Sequence, residues 1–344
     1  MRIEELIFVF DELYILLDGG VGIDFALQEV IASIKDKTLK KVFEEIYKDV
    51  NAGNSLFNSF LKHKEYFGDL VITIVRVGEE SGDLAGSFRE LSDILREILD
   101  NKLRFKRAIR YPLFLIFVMI VAFLIMIFFV IPPFKRLFLE LNAPLPLPTR
   151  LILGLYDFIS SYGIFLLGGL FFGGGVGFIF YRNFEFFKEK VDAFLLRVYL
   201  LKDIILYSMK GRFVYLFYKL INAGINVDLA LEIAIDGVEN LYLKKRLLII
   251  KYSILNGLSL ADGFKRSGVF ERIVIYMIKS AEEGGKIDFA LKRISEYYFK
   301  KYAYLVDNIL IFLEPVLIFI IAIFVLLLGF GIFLPIWNLA EIIK

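Results

Sequence analysis

Two short acidic peptides hold the residues best suited to chemistry. One is Val77, Gly78, Glu79, Glu80, Ser81, Gly82, Asp83 and Leu84; the other is Ala281, Glu282, Glu283, Gly284, Gly285, Lys286 and Ile287. Adjacent carboxylates near a helix C-terminus face the negative end of the helix dipole, at a cost of about 0.3–1 kcal/mol each when exposed, so something must compensate. Backbone N–H groups at the start of the next helix are the favoured partners. Contact with another protein, or a hard cation taken up by oxygen ligands, are the alternatives.

Other reactive residue types are sparse. His63 is the one histidine and stands in the polar run Lys62, His63, Lys64, Glu65, which reads as solvated surface. There is no cysteine, so disulfides and thiolate metal sites are excluded. Gly285-Lys286 is followed by Ile287 and lacks the earlier glycine of a phosphate-binding loop. No nucleophile elbow accompanies His63. No catalytic, metal or cofactor residue is expected, and the chain does not read as an enzyme. A net charge of +2, from 41 basic and 39 acidic residues, argues against nucleic acid as a partner.

The elements that position the acidic peptides follow from hydropathy. Hydrophobic residues make up 58% of the 344 positions, and a mean hydropathy of +0.66 exceeds that of soluble domains. Residues 113–131 are apolar throughout and nearly cross a hydrocarbon core of roughly 30 Å. Residues 316–334 form a similar run, preceded by Glu314-Pro315. Between them, 162–180 carries no charge but seven glycines, which lipid tolerates. Gly169, Gly173 and Gly177 recur there every four residues, the pattern that lets helix backbones approach; packing inside one molecule is favoured over association between subunits.

Lys102, Arg104, Lys106, Arg107 and Arg110 precede the first run, Arg182, Lys188 and Lys190 follow the second, and Lys292, Arg293, Lys300 and Lys301 precede the third. Basic flanks stay in the cytoplasm. The N-terminus is therefore expected inside and the C-terminus outside. Residues 1–10 do not read as a signal peptide.

The chain also repeats itself. Gly20, Asp24, Ala26 and Leu27 match Gly224, Asp228, Ala230 and Leu231 at a separation of 204, as do Gly53, Ser55, Leu56 and Phe60 with Gly257, Ser259, Leu260 and Phe264. After one single-residue shift, Glu79, Glu80 and Gly82 match Glu282, Glu283 and Gly285 at 203, and Pro112 and Pro132 match Pro315 and Pro335. The copies run from about Phe8 to Phe134 and from about Arg212 to Trp337. Apolar stripes such as Leu6, Val9, Phe10 and Leu13 have helical spacing. Gly20 and Gly224 should end helices, with Asp24 and Asp228 capping those that follow. Pro112 and Pro315 fit first helical turns, where proline forfeits no needed hydrogen bond.

These features predict an all-α membrane protein with two repeated cytoplasmic bundles of about six helices each and three transmembrane helices. The expected divisions are bundle 1–110, span 111–134, periplasmic loop 135–159, span 160–181, bundle 182–308, span 309–337 and periplasmic tail 338–344.

The paired acidic turns, Tyr111-Pro112, the run Pro144, Pro146, Pro148, Thr149 and the Glu314-Pro315 opening together resemble the type II secretion F-subunit and type IV pilus platform family over nearly the whole chain. The resemblance implies an inner-membrane platform that docks on a cytoplasmic hexameric secretion or assembly ATPase, works on pilin or pseudopilin, and meets other inner-membrane machine subunits as a homo-oligomer. Glu314, an ionisable residue at the edge of a span, is expected either to reach water or pair with the basic flank or, as the alternative, to recognise a pilin's charged N-terminal region. Ala281 and Gly284 depart from the Gly and Ser of the family turn. A transporter or channel is the rival reading, but a single carboxylate at a span edge offers a poor path for an ion or solute.

Overall fold

The computed structural model describes residues 3–125, 128–129, 132–133, 147–198, 201–309, 311, 314–323, 325–326 and 329. Among them every regular element is a helix. Six helices form the first copy: α1 (Ile3–Asp18), α2 (Ile23–Ser33), α3 (Lys37–Asn51), α4 (Leu56–Leu61), α5 (Lys64–Ser81) and α6 (Leu84–Ile125). α7 (Leu147–Asn183) and α8 (Glu185–Leu195) follow. The second copy comprises α9 (Leu201–Asn222), α10 (Val227–Asp236), α11 (Leu241–Leu255), α12 (Leu260–Ser267), α13 (Arg272–Gly284) and α14 (Ile287–Asp307). A last apolar helix, α15, spans Glu314–Ile323.

The repeat seen in the sequence is a repeat of local physics. Asp36 accepts from Thr38 N and Leu39 N to open α3, and Asn240 accepts from Leu243 N to open α11. Ser55 caps α4 through Asn58 N, as Ser259 caps α12 through Asp262 N. A side-chain oxygen at such a position satisfies a donor the helix itself leaves orphaned. Gly20 and Gly224 leave α1 and α9 at φ 84° and 80°, the left-handed conformation expected of them.

Asp24 and Asp228 are not the caps of the next helices. The extended residues before those helices are Gly22 and Asn226, neither making a side-chain cap bond, and both aspartates lie inside the first turn. There a carboxylate still gains from the dipole. The chain re-enters helix sooner than the aspartates suggested.

The bundle cores are aromatic and aliphatic. Phe60 and Phe67 meet at 4.9 Å between ring centroids in the first, and their counterparts Phe264 and Phe270 at 4.5 Å in the second. All four are buried, so each tilted pair contributes large apolar area to its core. His63 is largely covered rather than solvated: it precedes α5, with Nε2 3.5 Å from Glu45 Oε2.

The chain divides into two compact units. One holds both bundles, up to Arg104 and across Glu189–Leu305; the other takes in Phe105–Lys188 and the described residues from Val306. Within the first unit the copies meet through Lys219 of α9 and Glu90 of α6, 2.8 Å apart, and through the Tyr302 hydroxyl, which donates to Asn101 O at 2.9 Å.

In the second unit α6 supplies an apolar segment of mean hydropathy 2.5, the one helix among the described residues long and apolar enough to cross a membrane. Leu113, Phe114 and Phe117 are exposed along it. Pro112 lies in the interior of this 42-residue helix, not in a first turn. The bundle helix runs on into the apolar segment, so the boundary expected at 110/111 falls inside one element, and one backbone hydrogen bond is forgone there. Pro315 is the second residue of α15. α7 contains the glycine-rich run and begins at Leu147, within the segment expected as a loop. No described atom lies within 4 Å of a Cβ built at Gly169, Gly173 or Gly177. Parts of the first and third expected spans, of the loop, and all of the tail 338–344 lie outside the described residues.

Candidate functional site

Both acidic peptides occupy the last turn of a helix and the reversal after it. α5 ends at Ser81 and α13 at Gly284, with Gly82 and Gly285 in the left-handed conformation at φ 75° and 63°. A Cβ would strain that backbone, which is why glycine stands at both positions.

The two carboxylates of each pair do different things. Glu79 accepts from Leu56 N at 2.6 Å and from Phe57 N at 2.9 Å. Glu282 repeats this with Leu260 N at 2.7 Å and Ala261 N at 3.1 Å. Each therefore satisfies two orphan donors at a helix N-terminus and meets the positive end of its dipole. The expected backbone partners are there, but they belong to α4 and α12, which precede the turns, and not to the helices that follow. With both oxygens engaged, Glu79 and Glu282 are committed to holding the fold.

Glu80 and Glu283 point out. They face basic residues one turn back: Arg76 Nε lies 2.7 Å from Glu80, and Lys279 Nζ 3.9 Å from Glu283. Such exposed pairs stabilise little, so these are the carboxylates of the motif that another molecule can reach. Among the described residues no cluster of three or more histidine or acidic side chains could hold a metal ion.

The copies tune their turns differently. A Cβ on Gly78 would come within 2.4 Å of Ser87 Oγ and 2.7 Å of Ser87 Cβ. At the equivalent positions the second copy has Ala281 and Ala290: the larger residue in the turn is matched by a smaller one across from it. Ser81 Oγ lies 3.4 Å from both Gly78 O and Asp83 N, contacts the second copy lacks because Gly284 has no side chain.

The two turns lie on either side of the end of α9. Ser81, Asp83 and Gly86 line a cleft of about 210 Å³ with Asn222 and Ala223. Gly285, Ile287 and Asp288 line another of about 380 Å³ with Ile221 and Asn222. Asn222 faces both, so motifs some 200 residues apart in sequence converge on one helix end. Glu314 heads α15 in the other unit and is exposed.

Two polar groups carry no motif and were not foreseen. Glu90 and Lys219 join the copies, and the Tyr215 phenol beside them is pushed up in pKa by burial first and then by Glu97, Glu90 and Asp93. In the second copy Glu271 accepts from Lys210 Nζ at 2.9 Å and from the hydroxyl of fully buried Tyr298. Burial alone would raise the Glu271 carboxyl, but these two donors hold it below its ordinary range. The first copy has Leu6, Gly68 and Leu95 at these positions, so repeat comparison is the signal that would have exposed this triad.

Taken together, the chain is an internally duplicated helical protein in which a bundle helix extends into a membrane-length apolar segment and a matched acidic turn braces each copy. It belongs to the family of type II secretion system protein F, whose model matches residues 9–132 and again 213–335. Those limits coincide with the copies read from the sequence. The chain is 25% identical over 331 residues to a type IV pilus assembly protein PilC of Pseudomonas aeruginosa, covering 95% of this chain and 88% of the relative. It is 24% identical over 339 residues to a type II secretion system protein F of the same organism, covering 98% and 84%. A protein transport protein HofC homolog of Escherichia coli K12 is 25% identical over 342 residues, covering 97% and 83%.

Proposed function

We propose that this protein is the inner-membrane platform of a type II secretion or type IV pilus machine. Three helices cross the membrane, α6, the glycine-rich part of α7, and the segment containing α15, with both bundles in the cytoplasm. The bundles receive movement from a hexameric ATPase, and the spans pass it to pilin or pseudopilin subunits. The observation that carries this reading is the continuity of α6, whose chain runs from the first bundle into the apolar segment. Family membership and the names of the relatives support it.

Within this reading Glu80 and Glu283 are the surface contacts of the acidic turns, and Glu314 meets the pilin at the membrane edge. Crosslinking in intact membranes, followed by identification of the captured partners, tests the proposal. Capture of a secretion ATPase and a pilin-like protein is the expected result; solute transport by the purified chain alone would favour a transporter instead.

A further inference from the structure

The two bundles of one chain meet through unlike faces. α6 of the first presents Glu90 and Asp93 to Lys219 of α9 in the second, at 2.8 and 4.0 Å. By the repeat, α6 corresponds to α14 and α9 to α1. A two-fold arrangement would also lay α14 on α1, bringing Arg293, the counterpart of Glu90, onto Ile15, the counterpart of Lys219. It does not: Ile15 is 65% exposed and the Arg293 side chain 59% exposed. The contact is head-to-tail, and it leaves one face of each bundle without a partner bundle.

The uncovered faces suit each other. On α1 of the first bundle Phe8 and Ile15, seven residues apart on one helix face, are exposed; on α14 of the second, Phe289 is exposed beside Arg293. Single exposed apolar residues need no explanation, but grouped large ones mark contact surfaces. The charges decide the occupant. Inside the chain, acidic Asp83, Glu90, Asp93 and Glu97 face Tyr215, Lys219 and Asn222; at the equivalent positions stand Lys286, Arg293, Glu296 and Lys300 on one face, and Asp11, Ile15 and Asp18 on the other, with Asp11 already paired to Arg96 and Arg293 to Glu296 inside the chain. The dominant sign is inverted on both sides at once, so complementarity is retained. α1 as a whole has five acidic residues and no basic one, while α14 has four basic and three acidic.

We infer that α14 of one chain docks on α1 of a second copy, repeating between molecules the contact that joins the two bundles within each. The inference goes beyond the platform reading and stands without it. A contact of this kind leaves the same two faces open on every added copy, and closes into a ring where the rotation permits.

The absence of native cysteine makes the test direct. Two differently tagged full-length chains, one Ile15→Cys and the other Arg293→Cys, are produced together and treated in membranes with a short bis-maleimide. Glu90→Cys with Lys219→Cys in one chain is the positive control for reach. The expected result is a linked pair carrying both tags when the two are mixed, and none when either variant is alone. Adding Asp18→Lys to the Ile15→Cys chain should cut the yield about fivefold, and Lys286→Asp in the other chain should restore it. No mixed product, linked Ile15→Cys chains on their own, or a yield indifferent to both charge reversals would each overturn the inference.

Discussion

Lys219 Nζ lies 2.8 Å from Glu90 Oε2 across the boundary between the two copies, with both side chains more than four-fifths covered. The other Glu90 oxygen, Oε1, is buried and accepts no hydrogen bond among the described residues. A carboxylate held this way depends on its one cation, because the interior offers little else to solvate it. Lys219→Met should therefore cost roughly 2–3 kcal/mol, below the fully buried figure because some water contact remains. Thermal unfolding of the purified full-length protein checks this, and Lys219→Met combined with Glu90→Leu should recover most of the loss.

The glutamates of each acidic turn should separate by role. Glu79→Ala or Glu282→Ala strips two backbone donors of their acceptor and should cost about 2 kcal/mol or more, read as a lowered unfolding temperature. Glu80→Ala and Glu283→Ala remove exposed, weakly held pairs and should stay within about 0.5 kcal/mol of the parent. In a partner-binding assay the order should reverse, with charge reversal at Glu80 or Glu283 weakening ATPase capture while the fold is kept.

Gly78→Ala should destabilise by about 1–3 kcal/mol, since its Cβ would lie 2.4 Å from Ser87 Oγ and overpacking forces neighbours off their rotamers. Ser87→Ala in the same chain removes the Oγ contact but keeps the Cβ 2.7 Å away, so it should relieve only part of that while bringing the pair to the Ala281 and Ala290 of the second copy. Unfolding temperatures of the single and double variants decide the matter.

Much of this was legible in the sequence. Gly20, Gly224 and the acidic pairs are local devices, and local devices survive duplication as recognisable peptides; the serine caps at Ser55 and Ser259 were present as repeat matches but not read as caps. The all-helical repeat followed from these devices, while the bundle boundary expected at 110/111 falls inside α6. What was not legible depends on residues far apart in sequence. Glu79 reaches back to α4 rather than on to α6 because α4 and α5 pack side by side, which spacing alone does not reveal. Pro112 suggested a helix start, yet α6 passes through it. Lys210, Glu271 and Tyr298 lie in three different helix contexts and match no motif; only their contrast with Leu6, Gly68 and Leu95 of the first copy marks them in the sequence, and only the fold brings them together.

That triad gives a pH dependence with a definite sign. The Glu271 pKa is lowered in the folded protein, its donors outweighing burial. A carboxyl of this kind contributes stability above its unfolded value, about 4.3, and loses it as pH falls through the depressed folded value. Glu271→Gln should lower the unfolding temperature at neutral pH, and the gap from the parent should narrow below about pH 4. A gap that widened with acid would contradict this assignment.

The account depends most on two equivalent bundles lying on one side of a membrane. Because the chain has no cysteine, single cysteines at the exposed equivalent positions Lys62 and Lys265 can be probed with a membrane-impermeant maleimide. Both should label in inverted inner-membrane vesicles and neither in intact spheroplasts. Labelling of the two positions from opposite faces of the bilayer would contradict the duplicated architecture and the platform role built on it.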